Sequence, residues 1–201
     1  GGASDFCTSF PTGAEADATP PLVVLVNPPS GSVGVGANAP VTVQFSEAVD
    51  VTSVGPSSLR ILRGGNPIEG AYTPSADLTF VTFRPDDMLP VGSLYTVDLA
   101  AGSYFDVAGN PGSGFTSTFS TGGSVDIDFP VVTRVSPDNG ADDVPTDTDI
   151  VVEFSEPVNP ILVNPTNFFV SAGGLGTVPG TITLGADRRR ATFTTMMPLP
   201  V

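Results

Sequence analysis

The chain has 201 residues, of which 7 are basic and 21 acidic, for a formal net charge of −14 with neither His nor Lys. Without His there is no Ser-His-Asp triad, no imidazole acid–base catalysis and no ordinary zinc site; without Lys there is no Schiff base and no P-loop lysine. Binding to phosphate backbones needs clustered cations, so no nucleic acid is expected as a partner. No apolar run approaches the ~18 residues of a membrane-spanning helix, and no transmembrane segment is expected.

Residues 1–20, GGASDFCTSFPTGAEADATP, form an N-terminal extended segment outside any repeat. Its Cys7 is the single cysteine and has no intrachain partner, leaving a free thiol or an intermolecular disulfide. From residue 21 the chain alternates short apolar runs with turns rich in Gly and Pro, which argues for strands throughout. The spacing predicts strands near 22–27, 41–46, 58–63, 67–73, 78–84, 94–99 and 115–120. Alternation turns Val41, Val43 and Phe45 to one side, and Val81 with Phe83, and Tyr95 with Val97 and Leu99, likewise inward; Phe80 turns outward. Seven short strands at about ten-residue spacing make a two-sheet sandwich of residues 21–122. A linker follows at 123–129, in which Val125 and Ile127 are expected to dock.

Residues 21–50 recur at 130–159 with an offset of 109: PLVVLVNPPSG against PVVTRVSPDNG, VTVQFSEAVD against IVVEFSEPVN. After one inserted residue the match resumes at an offset of 110, through Gly70/Gly180, Ala76-Asp77/Ala186-Asp187, Thr82-Phe83/Thr192-Phe193 and Leu89-Pro90-Val91/Leu199-Pro200-Val201. The fold class expected is all-β, two tandem immunoglobulin-like sandwiches, with 130–201 lacking the last strands of the first. The missing counterparts of 92–120 would cover Ile150, Val152, Phe154 and Phe193, while Phe169 completes the core. We therefore expect strands from outside 130–201 to close that side, from neighbouring domains of the same longer chain or from other copies of it through strand pairing.

The succession V-x-P-x-x-G, V-x-V-x-F-S-E-x-V, L-P-x-G-x-x-Y-T-V and D-x-A-G-N runs through Val26-Asn27-Pro28, FSEAVD at 45–50, LPVGSLYTV at 89–97 and DVAGN at 106–110. It resembles the bacterial Ig-like module of S-layer proteins, adhesins and multidomain secreted proteins. The resemblance implies an extracellular or cell-surface β-sandwich serving as spacer, stalk or assembly subunit, with no catalysis of its own. An alternative of a different class is an accessory module of a secreted enzyme whose catalytic domain lies outside this chain.

The most inviting constellation for chemistry is the loop PDNGADDVPTDTD, where Asp138, Asp142, Asp143, Asp147 and Asp149 crowd the hard oxygen ligands that Ca²⁺ takes. Its spacing is not that of an EF-hand, and copy one has no carboxylate in the equivalent loop. A solvated loop with Asp side chains accepting turn amides is therefore favoured over calcium, and no cofactor is expected. Glu47 and Glu156 stand at the end of equivalent strands and read as turn residues, as do Asp106 and Asn110. In the run Arg188-Arg189-Arg190, alternation places Arg189 at an inward position near a sheet end, opposite to its neighbours.

Overall fold

The computed structural model describes residues 16–173 and 176–199. Cys7, Phe6 and Phe10 lie outside the described residues. In copy one, β1 (Val23–Asn27), β3 (Val41–Phe45), β7 (Phe80–Pro85) and β6 (Gly70–Pro74) form one sheet in the order β1-β3-β7-β6. The facing sheet runs β2 (Ser32–Val35), β9 (Phe115–Thr121), β8 (Leu94–Leu99), β4 (Leu59–Arg63), β5 (Asn66–Pro67). Its core is aliphatic and aromatic. Val41, Val43, Phe45, Val81, Phe83, Tyr95, Val97 and Leu99 are all buried, as alternation requires. Ring pairs fill it, with Phe45 on Tyr104 at 5.3 Å and two cross-strand pairs within the sheets, Tyr72 on Phe83 at 5.1 Å and Tyr95 stacked on Phe119 at 5.3 Å.

Two features of copy one depart from the sequence reading. The run 67–73 is not one strand: β5 pairs with β4, then the chain crosses at Ile68, whose N–H donates to Ile61 O, and joins the other sheet as β6. This switch carries the chain from one layer to the next, and Gly70 permits it because a Cβ there would lie 2.5 Å from the Phe83 ring. The second departure is β2, which pairs in parallel with β9 through Ser32↔Phe119 and Val35↔Thr121. Too short and too Gly-rich to show a strand period, it closes the edge of the five-stranded sheet.

Copy two repeats the first sheet: β10 (Val132–Ser136), β11 (Ile150–Phe154), β15 (Arg190–Thr195) and β14 (Gly180–Leu184) in the order β10-β11-β15-β14. The correspondence reaches single residues. Val23↔Phe45 becomes Val132↔Phe154, with the same irregularity one step on. The left-handed turn residue Leu78 (φ 60°) becomes Arg188 (φ 58°), and Gly31 (φ 79°) becomes Gly140 (φ 78°). Arg188 therefore sits in the turn before β15, not on the strand. Arg189 is exposed and donates through Nη1 to Ser155 O, so its guanidinium escapes the inward row at the sheet end.

The second sheet of copy two is represented, among the described residues, by the short hairpin β12 (Ser171–Ala172) and β13 (Gly176–Thr177). Phe168, not Phe169, takes the core position. Its N–H donates to Asn164 O as that of Leu59 does to Gly55 O, so the offset of 109 persists through 168. The inserted residue falls later, in the hairpin between Ala172 and Gly176. Phe168 accordingly packs edge-on to Phe193 at 6.4 Å, while Phe169 is 55% exposed. Ile150, Val152 and Phe154 are only partly buried where Val41, Val43 and Phe45 are enclosed, but Phe193, expected on the same open side, is 3% exposed beneath Phe168.

The linker docks through its backbone, with Val125 half-buried. Asn38 Nδ2 donates to Asp126 O at 2.7 Å and the Asp126 N–H returns to Asn38 Oδ1 at 3.2 Å, whereas Ile127 stays 78% exposed. Gly36 is needed here, since a Cβ on it would meet Asp126 Cβ at 2.8 Å.

Candidate functional site

Three places gather polar chemistry: the turn at Asp106, the carboxylate loop of copy two, and the junction between the copies.

The D-x-A-G-N stretch folds back so that Asp106, 1% exposed, accepts the N–H groups of Ala108 and Asn110 on Oδ1, both at 2.8 Å, and Asn110 Nδ2 on Oδ2 at 2.7 Å. Gly109, at φ 93°, supplies the turn that non-glycine residues resist. Burial raises the Asp106 carboxyl, but the hydrogen bonds from Asn110, Ala108 and Gly109 outweigh it and hold the pKa below the ordinary value. Beside the turn, Tyr104 OH lies 2.9 Å from Ser113 O and 3.2 Å from Pro21 O, fastening the segment that leads into β1. Asn110 Nδ2 also reaches Asp17 O at 3.2 Å.

That fastening brings Asp17 to Glu47 and Asp106, with carboxylate oxygens within 4.8 Å of one another. Sequence reasoning treated Glu47 and Asp106 as separate turn residues. Nothing in the spacing of 17, 47 and 106 signals convergence, because it depends on how the leading segment crosses the sandwich end. Burial first, then the charges of Asp17 and Asp106 and a hydrogen bond with Asp17, push the Glu47 carboxyl up. Hard cations take such oxygens, but three hydrogen bonds already engage the two oxygens of Asp106, which gives this member of the trio a structural use within its own turn. Raised in the folded state, Glu47 opposes folding once pH rises above its ordinary value of 4.5. Glu47→Gln should therefore raise the stability of copy one at pH 7, by no more than about 1 kcal/mol, and leave it unchanged in acid; thermal melts at both pH values check this.

Asp138, Asp142, Asp143, Asp147 and Asp149 are all exposed, and the structure brings no three of them together within the span that the Asp17 trio meets. Asp143 sits at φ 55°, a turn conformation that short polar side chains tolerate.

At the junction, the 3₁₀ turn η1 (Pro160–Leu162) of copy two lies against β1 of copy one. Asn159 caps η1 by accepting the Ile161 N–H on Oδ1 at 3.1 Å, and its Nδ2 reaches Thr42 Oγ1 at 3.4 Å. Arg188 Nη1 donates to Asn27 Oδ1 at 3.1 Å. Thr42 points to the outer face of its sheet yet is 1% exposed, and Ile161 is 2% exposed. The outer face of the β1-β3-β7-β6 sheet is thus a docking surface, covered by a turn and a turn arginine of the following copy.

The sequence model of the bacterial Ig-like domain matches residues 17–121 and again 126–200, and the chain belongs to that family. A search of curated proteins finds no match. Among solved structures, CopC from Methylosinus trichosporium OB3b is similar at 18% identity and a TM-score of 0.42, over 51% of this chain and 93% of that one. The S-layer protein SbsC is similar at 16% identity and a TM-score of 0.42, over 90% of this chain but 22% of its own length. L,D-transpeptidase 1 of Mycobacterium tuberculosis is similar at 25% identity and a TM-score of 0.36, over 51% of this chain and 39% of that one.

Proposed function

We propose that this chain is a non-catalytic structural or adhesive module of a secreted or cell-surface bacterial protein, acting as spacer, stalk or extracellular assembly subunit. The junction carries this reading. A sheet face of one sandwich receives the Asn159–Ile161 turn and the Arg188 side chain of the next, which converts two copies into one unit able to hold a distance. Of the carboxylates that come nearest to a reactive constellation, the buried one, Asp106, is engaged in the hydrogen bonds of its own turn, which is what a scaffold needs of it.

X-ray scattering from the chain and from an Asn159→Ala, Arg188→Ala double variant tests the spacer reading. The wild-type chain should give one compact distribution of distances and the variant a broader one with a larger radius of gyration, at unchanged far-ultraviolet circular dichroism. Equal broadening in both proteins would defeat it. The module is proposed to have no obligatory metal, so a chelator should leave the melting temperature in place; a loss of many degrees would reveal a structural cation.

A further inference from the structure

The repeat begins earlier than residue 21. At the same offset of 109, residues 6–21 match 115–130: Phe6/Phe115, Phe10/Phe119, Thr12/Thr121, Gly13/Gly122, Asp17/Asp126 and Pro21/Pro130 are identical, and Thr8-Ser9 stands against Ser117-Thr118. The stretch expected to lie outside any repeat thus carries, at 6–12, the sequence counterpart of β9. In β9 the side chains of Ser117, Phe119 and Thr121 are buried and Phe115 is half-buried; their counterparts Thr8, Phe10, Thr12 and Phe6 follow the same alternation. Two of the identities have a structural reason. Gly122 passes over Gly34, where a Cβ would lie 3.1 Å from the Gly34 carbonyl oxygen. Thr121 Oγ1 donates to Pro90 O at 2.7 Å, and Pro200 is the counterpart of Pro90. Pro11, in place of Ser120, gives up one backbone donor.

Copy two has no β9 among the described residues, yet it keeps the edge that receives one. The counterpart of β2 is 141–144. Gly140 (φ 78°) and Asp143 (φ 55°) hold the left-handed conformations of Gly31 (φ 79°) and Gly34 (φ 72°). The Ala141 N–H donates to Asp138 O at 3.1 Å as that of Ser32 does to Pro29 O at 3.0 Å, and the Thr148 N–H to Pro145 O at 3.1 Å as that of Ala39 does to Gly36 O at 3.0 Å. The edge therefore has its paired shape with no strand paired to it. Of the apolar face it flanks, Val135 is 41% exposed where Val26 is 7%. In copy one β9 is held on β2 by the Gly31 N–H, which donates to Thr118 O at 2.7 Å, and by the Gly122 N–H, which donates to Val35 O at 2.8 Å. The counterparts of these four groups are the Gly140 N–H and Val144 O on the edge, and Ser9 O and the Gly13 N–H in the segment.

We infer that residues Phe6–Thr12 of one molecule add as a β9-type strand to the open side of copy two in a second copy of this chain, parallel to 141–144, with Phe10 opposite Ala141 and Thr12 opposite Val144. The register is that of Ser32↔Phe119 and Val35↔Thr121. Strand addition of this kind gives affinity through the backbone and selectivity through alternate side chains. Reach excludes the same pairing within one molecule. Asn110 holds Asp17 at the Asp106 end of copy one, and copy two follows from the opposite end, where Asp126 meets Asn38. The 7 residues of β9 alone span about 23 Å of that length, whereas residues 13–16 extend at most about 14 Å. The contact is heterologous, so it propagates head to tail instead of closing a dimer. The segment does not fill the place of β8. The inference rests on the proposed assembly role and names the strand that performs it. Repulsion between chains of −14 is screened beyond about 8 Å at physiological ionic strength, which leaves the local pairing to decide.

Sedimentation velocity of the whole chain over a concentration series, at physiological salt with a reductant to keep Cys7 from forming disulfides, is the first test. The wild-type chain should grow in mass with concentration, and Phe6→Asp with Phe10→Asp should leave monomers. The single cysteine then reads the register. A nitroxide coupled through a maleimide to Cys7, whose counterpart Thr116 is exposed, is mixed with a 15N-labelled chain carrying Phe6→Asp, Phe10→Asp and Cys7→Ser, which lacks the donor but keeps the receiving edge. The nitroxide should broaden the amides of Gly140 and Ala141 more than that of Val144, as a parallel strand requires, and leave 31–35 of copy one unchanged. A labelled donor with Phe6→Asp and Phe10→Asp should broaden none of them. A wild-type chain that stays monomeric, association undiminished by the two aspartates, as pairing through other strand edges would give, or broadening strongest anywhere but Gly140 and Ala141 overturns the inference. Scattering from the monomeric Phe6→Asp, Phe10→Asp chain reads the intrachain junction separately, so failure here leaves the spacer reading standing or falling by itself.

Discussion

Phe83→Ala should destabilise copy one by about 3–5 kcal/mol, the usual cost of emptying an enclosed phenylalanine site. Phe83 is fully buried, its ring packs on Tyr72, and it fills the space over Gly70 where the chain changes sheets. No neighbour can collapse into the gap without moving that crossing. The chain has no Trp, and its 3 tyrosines, Tyr72, Tyr95 and Tyr104, all lie in copy one. Tyrosine fluorescence in a urea titration therefore follows this sandwich alone, and a midpoint shift of less than about 1 kcal/mol would contradict the packing described.

Asp106→Ala should cost about 1–3 kcal/mol, because it strands the donors of Ala108, Asn110 and the Asn110 side chain at the sandwich end. The pH dependence has a definite sign. The Asp106 carboxyl is held below its ordinary value of 3.8, so its contribution is complete above that pH and disappears as pH falls through the lower folded-state value. The gap between wild type and variant should thus be constant from neutral pH to about 4 and narrow in stronger acid. Glu47, shifted the other way, contributes the opposite slope. A gap that widens on acidification would contradict the hydrogen-bonded, ionised carboxylate.

Much of the fold is legible in the sequence because period-two burial is local: Val41, Val43 and Phe45, or Tyr95, Val97 and Leu99, declare their side by alternation alone. The repeat carries this to copy two, down to the turn residues Leu78 and Arg188. What depends on the path between layers is not legible. The crossing at Ile68 looks like one strand because both halves are strand-like, and β2 is too short to show a period. An offset of 110 matches Leu59 to Phe169, but the inserted residue falls after Ala172, so Phe168 takes the core position; in a strand one residue exchanges the faces. Of the candidate sites, the D-x-A-G-N turn is visible as a motif. Its meeting with Asp17 and Glu47 is not, being set by the Tyr104–Pro21 fastening. The Asp138–Asp149 loop drew notice through composition, yet its carboxylates stand apart. The junction escaped notice because its residues, Thr42, Asn159 and Arg188, are ordinary surface types in sequence. Only comparison of the two copies gives the clue, a threonine where the repeat has Val151 and an isoleucine where it has Thr52.

The central claim is that the two sandwiches are held in one orientation by the η1 turn and Arg188 on the outer face of the first. Residual dipolar couplings of backbone amides in β3, β7, β11 and β15, measured in one alignment medium, test it most directly. The account predicts that both copies fit a single alignment tensor of one magnitude, and that Asn159→Ala with Arg188→Ala splits it into two. Two tensors of different magnitude in the wild-type chain would mean that the copies move independently about residues 123–129, and would contradict it.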